Sequence, residues 1–232
     1  MEKLTKKEAS LALQEKIKDL IISRKMKPGD LMPTESELID LLGVGRSSLR
    51  ESIKSLEALH ILDIHHGIGT FVGTSSLVPM IRGLTFYAQL HLQDSLKPIL
   101  DILDVREILQ YGFAPIAVQK ISIDEVKELQ RLVRLMEKKA SEGLFSIQEE
   151  YEIHLLMYQP VENHLLSQYL DAFFQIYQKL DSELPKIQVS PTMLAMQYRE
   201  LVDAVEEKNL ERVQRAILYY FQTIRQSLTK GK

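Results

Sequence analysis

Pro33-Thr34-Glu35-Ser36-Glu37, followed shortly by Gly43-Val44-Gly45-Arg46-Ser47-Ser48-Leu49-Arg50-Glu51, is the stretch whose reading decides the fold. Thr34 and Glu37 have the spacing of a capping box, so a helix starts there and runs to about Leu42. Gly43-Val44-Gly45 leaves room only for a tight turn. A second helix then runs from Arg46 to about His60 and turns Leu49, Ile53 and Leu56 inward. Gly45 falls at its N-cap, where glycine is acceptable but weaker than serine or aspartate. Two short helices joined by a three-residue turn containing glycine carry the helix-turn-helix signature.

The flanks extend this reading. Upstream, Leu13, Ile17, Leu20 and Ile21 mark one face of a helix over Lys7 to Lys25, closed by Met26-Lys27-Pro28-Gly29-Asp30. Downstream, Ile61 to His65 and Thr70 to Val72 are β-prone runs joined by His66-Gly67-Ile68-Gly69, a connection suited to a hairpin. Three helices and a hairpin make the winged form of the motif, assigned to residues 1–75. From Ser76 onward only helical spacing remains, broken at Pro98, Gly143, Glu162-Asn163, Pro185 to Pro191 and Lys208-Asn209. The closing segment is the clearest, with Leu210, Val213, Ile217, Phe221, Ile224 and Leu228 stepping by three and four. The expected fold is therefore mainly α: an N-terminal winged helix-turn-helix, then an all-α bundle of six or seven helices over residues 76–232.

Composition narrows the function. With 45% hydrophobic and 26% charged residues the chain has material for two ordinary cores. The absence of cysteine excludes disulfides and thiolate metal sites and fits a reducing compartment. Met1 to Ser10 is charged rather than apolar, and no apolar run approaches the ~18 residues of a membrane span. The expectation is a cytoplasmic protein without a membrane partner. A net charge of −3, with acids and bases in equal number over the first 75 residues, does not by itself signal nucleic acid. That case rests on where particular cations sit. The second helix of a helix-turn-helix meets base edges with its N-terminal residues, here Arg46, Ser47, Ser48 and Arg50. An arginine fork can pair with guanine O6 and N7, while hydroxyls and helix-start amides suit phosphates.

With those residues in view, the segment from Met32 to Glu51, together with Gly67-Ile68-Gly69-Thr70-Phe71-Val72, resembles the GntR family of bacterial transcription regulators over roughly residues 10 to 73. The resemblance implies that Arg46 and Arg50 read bases or phosphates and that Ser47 and Ser48 hold the backbone. It also implies that His66 and Gly67 at the wing tip touch the minor groove. Ser36 stands where many relatives have an arginine, so one DNA-contacting cation is missing. The helical remainder, with Asp104-Val105-Arg106, Ile153-His154 and Glu162-Asn163-His164, resembles the FadR-like branch and its FCD-type effector domain. That implies a homodimer on a palindromic double-stranded DNA operator, its affinity set by a small-molecule effector.

Such effector domains commonly hold a divalent metal with three histidines and an acidic residue. Here Glu150 and His154 stand at two of those positions, and Tyr198 and Tyr220 at the other two. A neutral phenol, with a pKa of about 10, is a poor metal ligand, so no metal and no other cofactor is expected. Arg106 then becomes the candidate anchor for a carboxylate or acyl effector, with His154, Tyr198 and Tyr220 supplying further hydrogen bonds. The bland reading of Arg106 is a salt bridge with Asp101 or Glu150, and that of the two tyrosines is ordinary core packing. Phe173, Phe174 and Tyr177 read as bundle core or dimer interface. An enzyme built on Glu150 and His154 lacks a nucleophile–base pair and a phosphate loop, so the chain reads as a non-enzyme. The function expected is a transcription regulator, a repressor in the leading reading, with a ligand-blind architectural DNA-binding protein as the alternative.

Overall fold

Capping chemistry sets most of the helix starts. The structure, a computed structural model, describes residues 5–185 and 189–230. The first four residues of the charged N-terminal stretch and the middle of the Pro185 to Pro191 break lie outside the described residues. The chain divides into two compact units, one running to Pro79 and the other starting at Met80, four residues beyond the boundary expected from sequence.

In the first unit, α1 (Lys6–Ser23) starts on a Thr5/Glu8 capping box and α2 (Glu35–Leu42) on the Thr34/Glu37 box. In the latter, Thr34 Oγ1 accepts from the Glu37 amide at 3.3 Å and the Glu37 carboxylate accepts from the Thr34 amide at 2.8 Å. Such a cap contributes about 1 kcal/mol. The chain leaves α2 through Gly43 at φ +65°, a left-handed conformation that only glycine adopts without a steric penalty. It re-enters helix at α3 (Arg46–Ala58). Leu13 and Ile17 of α1, Leu38 of α2, and Leu49, Ile53 and Leu56 of α3 meet in one core. Strands β1 (Leu62–His65) and β2 (Gly69–Val72) form the antiparallel wing, with Leu62 opposite Val72 and His65 opposite Gly69. Leu62 and Val72 point into the same core, which roots the hairpin, and Leu31 bridges to Phe71.

The second unit holds seven α-helices among its described residues, in agreement with the expected count. They are α4 (Val78–Leu92), α5 (Lys97–Lys120), α6 (Ile123–Ser141), α7 (Ile147–Tyr158), α8 (His164–Leu180), α9 (Pro191–Glu206) and α10 (Leu210–Lys230). A single 3₁₀ turn, Gln159–Val161, separates α7 from α8. Helix α6 packs on α7 and α9, and α10 packs on α5 and α9, so these five surround a common interior. Leu103, Leu129, Val133, Ile153, Val213 and Phe221 are fully buried there. The α5–α6 boundary was not among the breaks expected from sequence. It is made by Ser122, whose hydroxyl accepts from the Glu125 amide while the Glu125 carboxylate returns to the Ser122 amide.

Gly73 closes the wing against the end of α3. A Cβ placed there would lie 2.4 Å from the backbone oxygen of His60, which cannot swing aside. Gly73→Ala should therefore destabilise the first unit by roughly 1–3 kcal/mol, the usual cost of overpacking. Urea denaturation should show the midpoint falling; an unchanged midpoint would show that the wing root can yield.

Candidate functional site

Two regions gather the residues singled out by sequence, and each lies within one unit. The first is the start of α3. Arg46, Ser47, Ser48 and Arg50 are all exposed on its first turns, while Leu49 between them is fully buried. The N-cap is Gly45, which has no side chain to satisfy the first-turn amides, and the first helical bond is Leu49 N–H to Gly45 O at 3.0 Å. The opening amides of α3 therefore face outward with no capping group, at the positive end of the helix dipole. Such an end accepts an anion such as a phosphate. Arg50 Nε donates to both carboxylate oxygens of Glu35 at 2.9 Å, whereas Arg46 forms no ion pair among the described residues. At the wing, His66 and Gly67 are exposed, and Gly67 sits at φ +77° in the turn. Ser36 is exposed on the first turn of α2.

The second region lies inside the helical unit. Arg106 and Gln110 are four residues apart on α5, and Glu150, His154 and Tyr158 are spaced by four on α7. Gln197 and Tyr198 come from α9, and Tyr220 and Phe221 from α10. Side chains three or four apart on a helix share a face, so polar groups lie within the inward stripes of four helices. Arg106, Gln110, His154, Tyr198 and Tyr220 are all buried. Tyr198 and Tyr220 are thus core side chains, as the bland reading held, yet their hydroxyls make a defined network. His154 Nδ1 pairs with Gln110 Nε2 at 2.7 Å and its Nε2 with the Tyr198 hydroxyl at 2.7 Å. Because the amide nitrogen can only donate, the ring carries its proton on Nε2 and gives it to Tyr198. The Tyr220 hydroxyl donates to Glu150, and the Tyr158 hydroxyl donates to the backbone oxygen of Gln110 at 2.7 Å.

Arg106 departs from the salt-bridge reading. Asp101 pairs with Lys97, Glu150 accepts from Tyr220, and the ion pairs formed elsewhere among the described residues do not include Arg106. Its guanidinium carbon lies 5.8 Å from the Tyr220 ring centre and 5.6 Å from that of Phe221, a cation–π arrangement. Its Nε is buried without a hydrogen-bond partner. Burial opposes the charge and the Glu150 carboxylate favours it, and the guanidinium stays protonated. Burial also pushes Tyr158, Tyr177, Tyr198 and Tyr220 upward, so these phenols stay neutral. Three further buried polar atoms here lack partners: Gln110 Oε1, Gln197 Oε1 and the Tyr177 hydroxyl. The space left among Gln110, His154, Tyr158, Gln197, Tyr198 and Tyr220 is about 10 Å³, room for about one water.

These residues do not fit the metal centre that the resemblance implies. Both His154 nitrogens are engaged, Glu150 holds Tyr220, and no group of three His, Asp or Glu side chains suited to a metal occurs among the described residues. Sequence reasoning missed Gln110, Tyr158 and Gln197. For Gln110 the available signal was a second polar residue on the inward stripe of α5, one turn after Arg106 and one before Ala114.

A helix-turn-helix with a rooted wing, carried on the same chain as a helical domain built around buried polar groups, defines a class: DNA-binding transcription regulators with an effector domain. Residues 9–72 match the family described as bacterial regulatory proteins, gntR family, and residues 101–223 match the FCD domain. The chain belongs to the gntR family of bacterial regulatory proteins, among those with an FCD effector domain, and it is not an enzyme. It is similar to the HTH-type transcriptional regulator YcbG of Bacillus subtilis (strain 168), described as uncharacterized, with 24% identity over 94% of this chain and 88% of that protein. It is also similar to the HTH-type transcriptional regulator LutR of the same organism, with 21% identity over 90% of this chain and 96% of LutR. Among solved structures, Streptococcus agalactiae GntR shares the fold at a TM-score of 0.58, with 23% identity over 94% of this chain and all of that one. No helix among the described residues is long and apolar enough to cross a membrane.

The His154 environment has a pH consequence. Burial, with Arg106 beside it, holds the ring well below its ordinary pKa, so the folded chain keeps it neutral while the unfolded chain protonates it near pH 6.5. The unfolded state then binds the extra proton, so stability falls as pH drops below about 6.5. The expected contribution is about 1.4 kcal/mol per pH unit. Denaturation midpoints measured from pH 7 to pH 5 should show this slope reduced in His154→Gln; equal slopes would mean that the ring is accessible to protons.

Proposed function

We propose that this regulator is a repressor, acting as a homodimer on a palindromic operator, and that a small carboxylate metabolite held by Arg106 releases it. One observation carries the effector reading: a buried guanidinium whose Nε has no partner, with the neighbouring Glu150 carboxylate committed to Tyr220. A buried charge is costly unless it is paired, and an incoming carboxylate is the counter-ion that fits an arginine fork. Of the other unpartnered atoms the Tyr177 hydroxyl can donate to that carboxylate, whereas Gln110 Oε1 and Gln197 Oε1 only accept and call for a donor, such as a hydroxyl, elsewhere on the ligand. The metal-free arrangement makes Arg106 the anchor in place of a metal. The present interior holds about one water, so admitting the effector requires the helices to part. Operator affinity then shifts by the difference in effector affinity between the closed and opened arrangements.

Replacing Arg106 by Met removes the charge and keeps much of the volume. The unliganded protein should be as stable as wild type or more so, because an uncompensated buried charge has gone. The thermal shift produced by carboxylate metabolites in wild type should vanish. Wild-type ligand shifts retained in Arg106→Met would remove Arg106 from the site.

On the DNA side, selection from random duplexes should return an inverted repeat. Arg46→Ala and Arg50→Ala should weaken binding with the fold intact, and one that reads a base should lose about 1–3 kcal/mol of discrimination at symmetric positions of both half-sites. A non-repeating site, or unchanged binding by both variants at physiological salt, would count against this docking.

A further inference from the structure

The two arginines of α3 stand in different electrostatic states. Arg46 has no ionic partner among the described residues, while Arg50 is tied by its Nε to both oxygens of Glu35, the first residue of α2. Glu35 is available for this because the neighbouring Glu37 is spent on the capping box and Ser36 is neutral. The side chains are 59% and 39% exposed, so the pair adds little to stability in water. Its effect lies in geometry. An arginine can offer a base either its Nε and one Nη, or its two Nη groups. With Nε held, only the Nη1–Nη2 end is free, in a plane fixed by the carboxylate. The carboxylate also cancels much of the attraction between Arg50 and a phosphate. When DNA excludes water from this surface, the Glu35–Arg50 attraction strengthens.

We propose that Glu35 is a positioning residue: it commits Arg50 to end-on reading of one base, of the paired-acceptor kind that guanine presents, and leaves Arg46 as the phosphate contact. This rests on the reading of Arg50 as a residue that faces DNA, and it divides two roles that the sequence left undivided.

The test uses the full-length protein, random duplexes for selection, and a poly(dI-dC) duplex as the non-specific probe. Glu35→Gln keeps the shape and an acceptor oxygen but removes the charge, and Glu35→Ala removes both. Both should relax discrimination at the same base pair that Arg50→Ala relaxes, by about 5- to 100-fold. Both should also steepen the salt dependence on the non-specific duplex by about 0.9 in log–log slope, because Arg50 is freed to neutralise a phosphate. Arg46→Ala should weaken all sequences alike. A purely structural role for Glu35 would change neither the selected base nor the slope, and that result overturns the proposal. Relaxation at a different base pair from that of Arg50→Ala would also overturn it, because Glu35 would then read a base itself. If Arg50→Ala relaxes no position while Arg46→Ala does, the base-reading assignment of Arg50 fails first, separately from the action of Glu35.

Discussion

The helical unit is organised by the need to keep one guanidinium charged in an interior without a counter-ion bonded to it. Arg106 achieves this with the ring faces of Tyr220 and Phe221 and the field of Glu150, whose carboxylate is itself neutralised in part by the Tyr220 hydroxyl. Each neighbour is constrained in turn. Tyr220 must present a ring to Arg106 and a hydroxyl to Glu150, which only a phenol does. His154 must be neutral beside the cation, and burial with capping by Gln110 and Tyr198 holds it so. A buried network of this kind stabilises when every member is satisfied and is costly when some are not. Here Arg106 Nε, Gln110 Oε1, Gln197 Oε1 and the Tyr177 hydroxyl are the unsatisfied ends. These are the atoms to which the proposed effector would bind.

The DNA-facing unit follows the same logic at its surface. Gly45 leaves the first amides of α3 without a capping oxygen, although a serine or aspartate there would add roughly a few tenths of a kcal/mol. The capping boxes at α1, α2 and α6 show that this chain uses such residues freely elsewhere. An uncapped α3 start therefore forgoes local stability and keeps donors available for an anion. Both candidate sites thus include groups left incompletely paired in the free chain, on helices whose apolar faces are well buried.

Legibility in the sequence tracks how local the determining interaction is. The Thr34/Glu37 box, the Gly43 turn and the Leu49–Ile53–Leu56 face are short-range signals, and the helix-turn-helix was readable from them. The α5–α6 break was equally local, in Ser122-Ile123-Asp124-Glu125, but uninterrupted apolar spacing on both sides and the lack of glycine hid it. The site inside the bundle was legible only through resemblance, which placed Arg106, Glu150, His154, Tyr198 and Tyr220. What joins them is long-range: Gln110 to His154 and Tyr198 to His154 are contacts 44 residues apart in sequence, and Tyr220 to Glu150 is 70 apart. No periodicity predicts such pairings. The choice between salt bridge and free cation at Arg106 likewise turned on Asp101 being held by Lys97 and Glu150 by Tyr220, which only the fold decides.

A metal ion and a buried arginine each supply the positive charge needed to recognise an anion inside a helical bundle. A dication among Glu150, His154, Tyr198 and Tyr220 would sit close to a permanent cation in a medium where like charges repel strongly. It would also need phenolate ligands, whereas burial drives both phenols further from ionisation. Finally, it would have to displace one of the two hydrogen bonds of His154, and the Tyr220–Glu150 bond, to gain those two side chains as ligands. Arg106 as observed, stacked on Tyr220 with its Nε free, already supplies the positive charge a carboxylate requires and adds directional donors that a metal lacks. Tyrosine at positions 198 and 220 is thus physically coupled to the state of Arg106. The phenols stack against the guanidinium or satisfy His154 and Glu150, and leave Arg106 as the buried cation to which the proposed effector would bind.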